Sequence, residues 1–191
     1  MASGSQPPVT RVPVFWDFEN SWELENYNIE ELKSYIEASL KTVDISYVVD
    51  DKIIAVGPGG NNLNYNRIEA SAHIKVVEIP WENLRCEARE GQCRNFVVTN
   101  RNINYEQTMR KTDAADKYLA LEIYMKVLDG YKNFLVISRD ADFLSVINSL
   151  NKRRMYMMLA TDKLTDDAIK SAKAIWLWGD MIRGRKYVYK R

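Results

Sequence analysis

Short apolar runs alternating with stretches of helical periodicity constrain this chain most. Residues 12–16, 43–49, 74–79, 133–137, 155–160 and 175–178 are rich in Val, Ile, Leu, Phe, Met and Trp, and each is of strand length. In Phe134-Leu-Val-Ile137 no polar residue interrupts the run, which suits a strand covered on both faces. Between these runs lie candidate helices at 28–40, about 64–72, from near Asp113 to Gly130, 142–151 and 162–173. The first carries Ile29, Leu32, Ile36 and Leu40 along one stripe. The stretch at 118–128 is apolar all round and reads as a largely buried helix. Alternating strands and helices of this kind predict an α/β three-layer sandwich around a mainly parallel sheet, with right-handed crossovers. Pro13 suits the start of a strand and is awkward inside a central one. Gly57-Pro-Gly-Gly-Asn-Asn62 breaks the chain and lacks the Gly-Lys-Ser/Thr ending of a phosphate loop. Residues 81–110 are the least legible, with 96–99 as an edge strand.

A chain of 191 residues buries roughly two-thirds of its extended surface, so neither disulfides nor a structural metal is needed for folding. Cys86 and Cys93 do not have zinc spacing, and His73 is the only histidine. A reducing compartment and an intracellular location, cytoplasm or nucleus rather than an organelle, are the expectation. No apolar run approaches the length of a membrane span, and the first residues do not read as a signal peptide. The net charge is +1, from 27 basic and 26 acidic residues. Five of the basic ones, Arg183, Arg185, Lys186, Lys190 and Arg191, fall in the last nine positions, which hold no acid. The expected organisation is a flexible N-terminus at 1–10, a domain at 11–180 with 81–110 as an insertion, and a basic tail at 181–191. Such a tail suits a polyanion and equally suits a solubilising terminus.

In a parallel sheet, functional groups gather beyond the carboxyl ends of the strands. Asp17 follows the first run, with Asn20 close behind. Asp140 and Asp142 follow the run ending at Ile137. Asp113 and Asp116 stand three apart at the start of the preceding helix. Each of these acids also suits an ordinary turn or cap role; the Asp142 carboxylate reads as an N-cap, oriented by backbone N–H groups. Packed together, they would repel one another unless neutralised. A hard divalent cation, Mg²⁺ or Mn²⁺, is the natural partner for such oxygens. With Cys and His scarce, water is the expected attacking group on a phosphodiester rather than a protein nucleophile.

Phe15-Trp-Asp-Phe-Glu-Asn20, Ala114-Ala-Asp-Lys117 and Ile137-Ser-Arg-Asp-Ala-Asp-Phe143, in this order, resemble the NYN domain family of PIN-like nucleases. The resemblance implies a PIN-like sandwich, a carboxylate pocket for Mg²⁺ or Mn²⁺, and ribonuclease or RNA-binding activity. Carried over, it implies Asp17, Asp116, Asp140 and Asp142 as metal ligands, with Asn20 as their polar companion. Glu122 matches a weaker acidic position, but it lies about 120° around the helix from Asp116. Two departures stand out: the long stretch from Pro80 to Lys111, and Arg139 where a small or acidic residue is common. The expected function is a metal-dependent endoribonuclease acting on single-stranded RNA. Lys111, Arg139 and the basic residues of the tail are its candidate RNA contacts. Basic and aromatic residues within 81–110 suit either RNA or a protein partner. A non-cleaving RNA-binding or adaptor subunit is the alternative.

Overall fold

A computed structural model of the chain describes residues 8–18, 28–58, 63–79 and 114–191. Asn20, Lys111, Asp113, both cysteines and the expected edge strand at 96–99 lie outside these residues.

The first apolar run does not form one strand. It splits at Pro13 into β1 (Thr10–Val12) and β2 (Val14–Asp17). Proline has no N–H to give a ladder, and its carbonyl accepts from the Leu135 N–H at 3.1 Å. On one side of this step β1 pairs in parallel with β3 (Tyr47–Val49) as a small two-stranded sheet. On the other side β2 enters the main sheet between β4 (Ile53–Pro58) and β6 (Asn133–Ile137). The main sheet also contains β5 (Ile74–Ile79), β7 (Tyr156–Thr161), β8 (Ala174–Leu177) and β9 (Tyr189–Lys190). Its order is β5-β4-β2-β6-β7-β8-β9. Every pairing is parallel except that of β9 with β8.

The sequence reading omits β4, although Ile53-Ile-Ala-Val56 is apolar and buried. Parallel neighbours normally need a crossover helix between them, and only Asp50-Asp-Lys52 separates Val49 from Ile53. The short link is feasible because β3 and β4 belong to different sheets.

Strand alternation sorts the core into two halves. Val14, Trp16, Leu135, Ile137, Met158, Ala160 and Trp176 face one side. There they meet α1 (Leu32–Lys41), α2 (Leu63–Ala70) and α6 (Trp178–Met181) through residues such as Ile36, Ile68 and Met181. Phe15, Phe134, Val136, Met157, Leu159 and Ile175 face the other. They are covered by α3 (Ala114–Leu128), α4 (Phe143–Lys152) and α5 (Asp166–Ser171). The parity continues past the strand ends, so Asp17 after Phe15 and Ser138 after Val136 point to the α3 side.

Gly57 matters to this end of the sheet. A Cβ there would sit 2.8 Å from the ring of Phe18, which is fully buried, follows Asp17 and meets Trp16 edge-on at 6.2 Å. Gly57→Ala is expected to cost about 1–3 kcal/mol through overpacking, read as a lower urea midpoint at unchanged slope.

At the other end of β2, Asp50 is buried between cations. Its carboxylate lies 3.0 Å from Lys126 Nζ and 3.9 Å from Arg11 Nη1. Burial pushes the Asp50 carboxyl up. Hydrogen bonds from Lys126 and Tyr131, with the Lys126 charge, outweigh this and hold it below its ordinary 3.8. Burial likewise pulls Lys126 down, but its hydrogen bond to Asp50 and the attraction of that carboxylate hold it above 10.5. The Asp50 contribution is therefore complete above its ordinary value and lost as pH falls through the lowered one. Asp50→Asn is expected to destabilise the protein at neutral pH, with the deficit shrinking in acid denaturation curves below the carboxylate range.

The basic terminus expected as a separate tail is folded onto the body. β9 continues the sheet, with the Arg191 N–H donating to the Lys173 carbonyl at 2.8 Å. The Arg191 guanidinium caps the end of α5, donating to the Ile169 and Lys170 carbonyls at 2.8 Å each. Arg185 pairs with Asp180 at 2.8 Å, Arg183 donates to the Gly179 carbonyl, and Lys190 donates to the Val43 carbonyl. Lys186 lies over the Tyr187 ring. Pairing of β9 covers an otherwise open sheet edge, a need that composition alone does not reveal.

Candidate metal centre

The pocket is built from two chain segments that leave the sheet at its carboxyl end and from the start of one helix. Ile137 ends β6, and Ser138-Arg-Asp-Ala-Asp142 turns the chain into α4. Ser and Asp both accept N–H bonds from two residues further on, which closes tight turns. Here they do so in series. The Asp140 N–H donates to Ser138 Oγ at 2.9 Å, and the Asp142 N–H donates to Asp140 Oδ1 at 2.8 Å. Asp142 stands at the N-cap of α4 but makes no side-chain cap bond. The sequence expectation that backbone N–H groups orient its carboxylate is therefore corrected: the Leu144 N–H donates instead to the Ala141 carbonyl at 3.0 Å, and the Asp142 side chain is exposed.

Asp116 lies in the first turn of α3, where the helix dipole favours a negative charge. One carboxylate oxygen each from Asp116, Asp140 and Asp142 lies within 4.8 Å of the others. Asp116 and Asp140 are half-buried. Three negative charges at this spacing repel one another, and burial strengthens the repulsion. Two oxygens on one Mg²⁺ lie at most about 4.2 Å apart, and the ion commonly keeps several waters. The cluster fits a hard divalent cation held by these carboxylates, in part through water.

Asp17 is not a member of this triad. It is 1% exposed, far deeper than the other three. Ser138 joins it to them: the hydroxyl donates to Asp17 Oδ2 at 2.7 Å while accepting the Asp140 N–H at 2.9 Å. Asp17 and the Asp140 amide are thus no farther apart than those two links laid end to end. A buried carboxylate is costly unless its neighbours supply hydrogen bonds or positive charge, and Ser138 supplies one such bond. The sequence reading passes over this serine. The signal is the spacing Ser-x-Asp-x-Asp directly after an apolar strand, which is that of two successive side-chain turns. Ser138→Ala leaves the buried Asp17 oxygen without this donor and is expected to cost about 1–3 kcal/mol. Thermal unfolding measures the loss, and Ser138→Thr should restore most of it.

The remaining candidates lie elsewhere. Glu122 lies 3.9 Å from Lys75 and hydrogen-bonds Tyr118, apart from the triad. Arg139 Nε lies 3.8 Å from Asp162 Oδ2, in the turn that follows β7, at the rim of the pocket. Arg183, Arg185, Lys186, Lys190 and Arg191 make the local contacts described above. Asn20 and Lys111 lie outside the described residues.

A mostly parallel sheet, helices on both faces and an acidic pocket at the strands' carboxyl ends define a PIN-like α/β protein. The NYN domain family model matches residues 11–177, and the chain belongs to that family. The family includes ribonucleases, and its membership supports a nuclease-type function with divalent-metal use. A crystal structure of a protein of unknown function from Vibrio parahaemolyticus is similar in fold. It has a TM-score of 0.54 and 12% identity, covering 90% of this chain and 94% of that one. A search of curated proteins finds no match. No described helix is long and apolar enough to cross a membrane.

Proposed function

We propose that this protein is a divalent-metal-dependent endoribonuclease that hydrolyses single-stranded RNA. The observation that carries the reading is the convergence of Asp116, Asp140 and Asp142 within 4.8 Å, with Asp17 tied to them through Ser138. Asp116, Asp140 and Asp142 would hold Mg²⁺ or Mn²⁺. When bound, such an ion lowers the pKa of water and offsets charge on a phosphodiester.

The protein's own residues set the geometry. Asp17 anchors Ser138, Ser138 fixes the Asp140 backbone, and Asp140 fixes Asp142. The carboxylates accept hydrogen bonds from water in the pocket and fix its orientation. In the overall hydrolysis, water oxygen adds to phosphorus and the bond to the 3′ oxygen breaks. The 3′ oxygen takes a proton, giving a 5′-phosphate and a 3′-hydroxyl. Asn20, close in sequence to Asp17, is assigned to position water or a non-bridging oxygen. Arg139, at the rim, is assigned to the incoming phosphate, exchanging its pairing with Asp162 for it.

Incubation of the purified protein with labelled single-stranded RNA and DNA, with and without Mn²⁺, tests this reading. Mn²⁺-dependent RNA products with 5′-phosphates are expected. RNA binding without product would favour the non-catalytic alternative, and cleavage of DNA alone would reassign the substrate.

A further inference from the structure

The end of the sheet opposite the triad carries a row of cations. Parallel register puts the amino ends of β6, β7 and β8 side by side, about 4.8 Å between neighbours. A cation stands before each one. Lys132 precedes β6, Lys152-Arg-Arg154 precede β7 by one residue, and Lys173 precedes β8. Backbone bonds run along this row. The Tyr156 N–H donates to the Lys132 carbonyl at 2.7 Å and the Lys173 N–H to the Met157 carbonyl at 2.8 Å. The antiparallel return of β9 adds Arg191 beside Lys173. All six side chains except the half-exposed Lys173 are exposed, and none forms an ion pair among the described residues. Exposed acids border this row: Asp129, in the turn before Lys132, and Asp44, whose charge acts on Tyr156.

A second observation singles out Arg154. It is the only described residue other than glycine with positive φ, at 65°. It follows the C-cap of α4, and the bonds Arg154 N–H to Asn151 and Met155 N–H to Leu150 close a Schellman turn. Glycine is the usual residue there because a Cβ is strained in that conformation. A long basic side chain in that place sets its charge on the ridge at a cost to the fold, the pattern expected of a functional contact.

The geometry points to a second RNA-binding surface: the ridge of Lys132, Lys152, Arg153, Arg154, Lys173 and Arg191 grips the phosphate backbone of a substrate segment away from the cleaved bond. This rests on the nuclease reading above. Pocket and ridge lie at opposite ends of the same strands, about 17 Å apart for five residues of β6. Only an RNA long enough to pass along the body reaches both. Exposed lysines and arginines in a row neutralise phosphates without reading bases.

The test compares wild type with Arg154→Gly alone and with Lys132→Gln/Arg154→Gly/Lys173→Gln, each also on an inactive Asp140→Asn background for binding. Arg154→Gly is expected to raise the melting temperature while weakening binding of a long single-stranded RNA. The triple variant is expected to bind that RNA at least tenfold more weakly. Its salt dependence should fall by about two in slope, near 0.7 per lost contact on a single strand. Cleavage of a trinucleotide should be unchanged, while KM for the long RNA rises. Unchanged long-RNA affinity and salt slope would overturn the ridge even if cleavage is intact. Absence of cleavage with ridge-dependent binding would instead overturn the nuclease reading and leave the ridge standing. Ridge-dependent capture of polyglutamate but not RNA would overturn the proposal in favour of an acidic protein partner.

Discussion

Asp140→Asn is expected to lower Mn²⁺-dependent cleavage of single-stranded RNA by about 100-fold or more, a size set by the loss of charge stabilisation at the reacting phosphate. The substitution isolates charge from structure. Asn keeps the side-chain oxygen that accepts the Asp142 N–H, so the turn into α4 survives, but the pocket loses one of its three clustered negative charges. Mn²⁺ titration should weaken in parallel while the melting temperature stays near wild type. Asp17→Asn is expected to reduce cleavage to a similar extent by a different route, since its carboxylate accepts from Ser138 and thereby sets the Asp140 backbone. Its melting temperature should therefore shift as well. Wild-type cleavage by purified Asp140→Asn, with contaminating nuclease excluded, would remove the triad from the mechanism.

Removal of residues 183–191 is expected to destabilise the protein by about 3 kcal/mol or more, from several lost hydrogen bonds at roughly 0.5–1.5 kcal/mol each. The bonds concerned include Val188 N–H to Ile175, Arg191 N–H to Lys173, Ser39 Oγ to the Arg185 carbonyl, and the Arg191 cap on α5. The buried Trp176 would also lose the Tyr187 ring that meets it edge-on at 6.2 Å. For a domain of this size the melting temperature should fall by about 6–12 °C. A truncated protein that melts with wild type would show that these contacts contribute little.

Much of this was readable from residue order alone. β5, β6 and β7 are apolar-rich runs of strand length, and they form close to where the sequence pattern puts them. Asp116, Asp140 and Asp142 converge because strand ends and a helix start meet at one end of a parallel sheet. What was hidden depends on tertiary partners. Ile53–Val56 is missed as a strand; its place beside β2, only three residues after β3, depends on the division of the chain between two sheets at Pro13. Tyr189–Lys190 looked like a charged tail because its strand pairing comes from β8, not from its own composition. Asp142 stands where a cap belongs, but the Leu144 N–H that it would cap donates to the Ala141 carbonyl. Ser138 was invisible as a link because its partner Asp17 is remote in sequence.

That remoteness bears on kinetics. The Ser138–Asp17 bond joins positions 121 apart, and the parallel pairing of β2 with β6 spans nearly the same interval of chain. Closing so large a loop is entropically slow, and parallel pairing offers no local hairpin to seed it. The pocket should therefore be among the last features to form, so refolding followed by tryptophan fluorescence should run ahead of the return of cation binding.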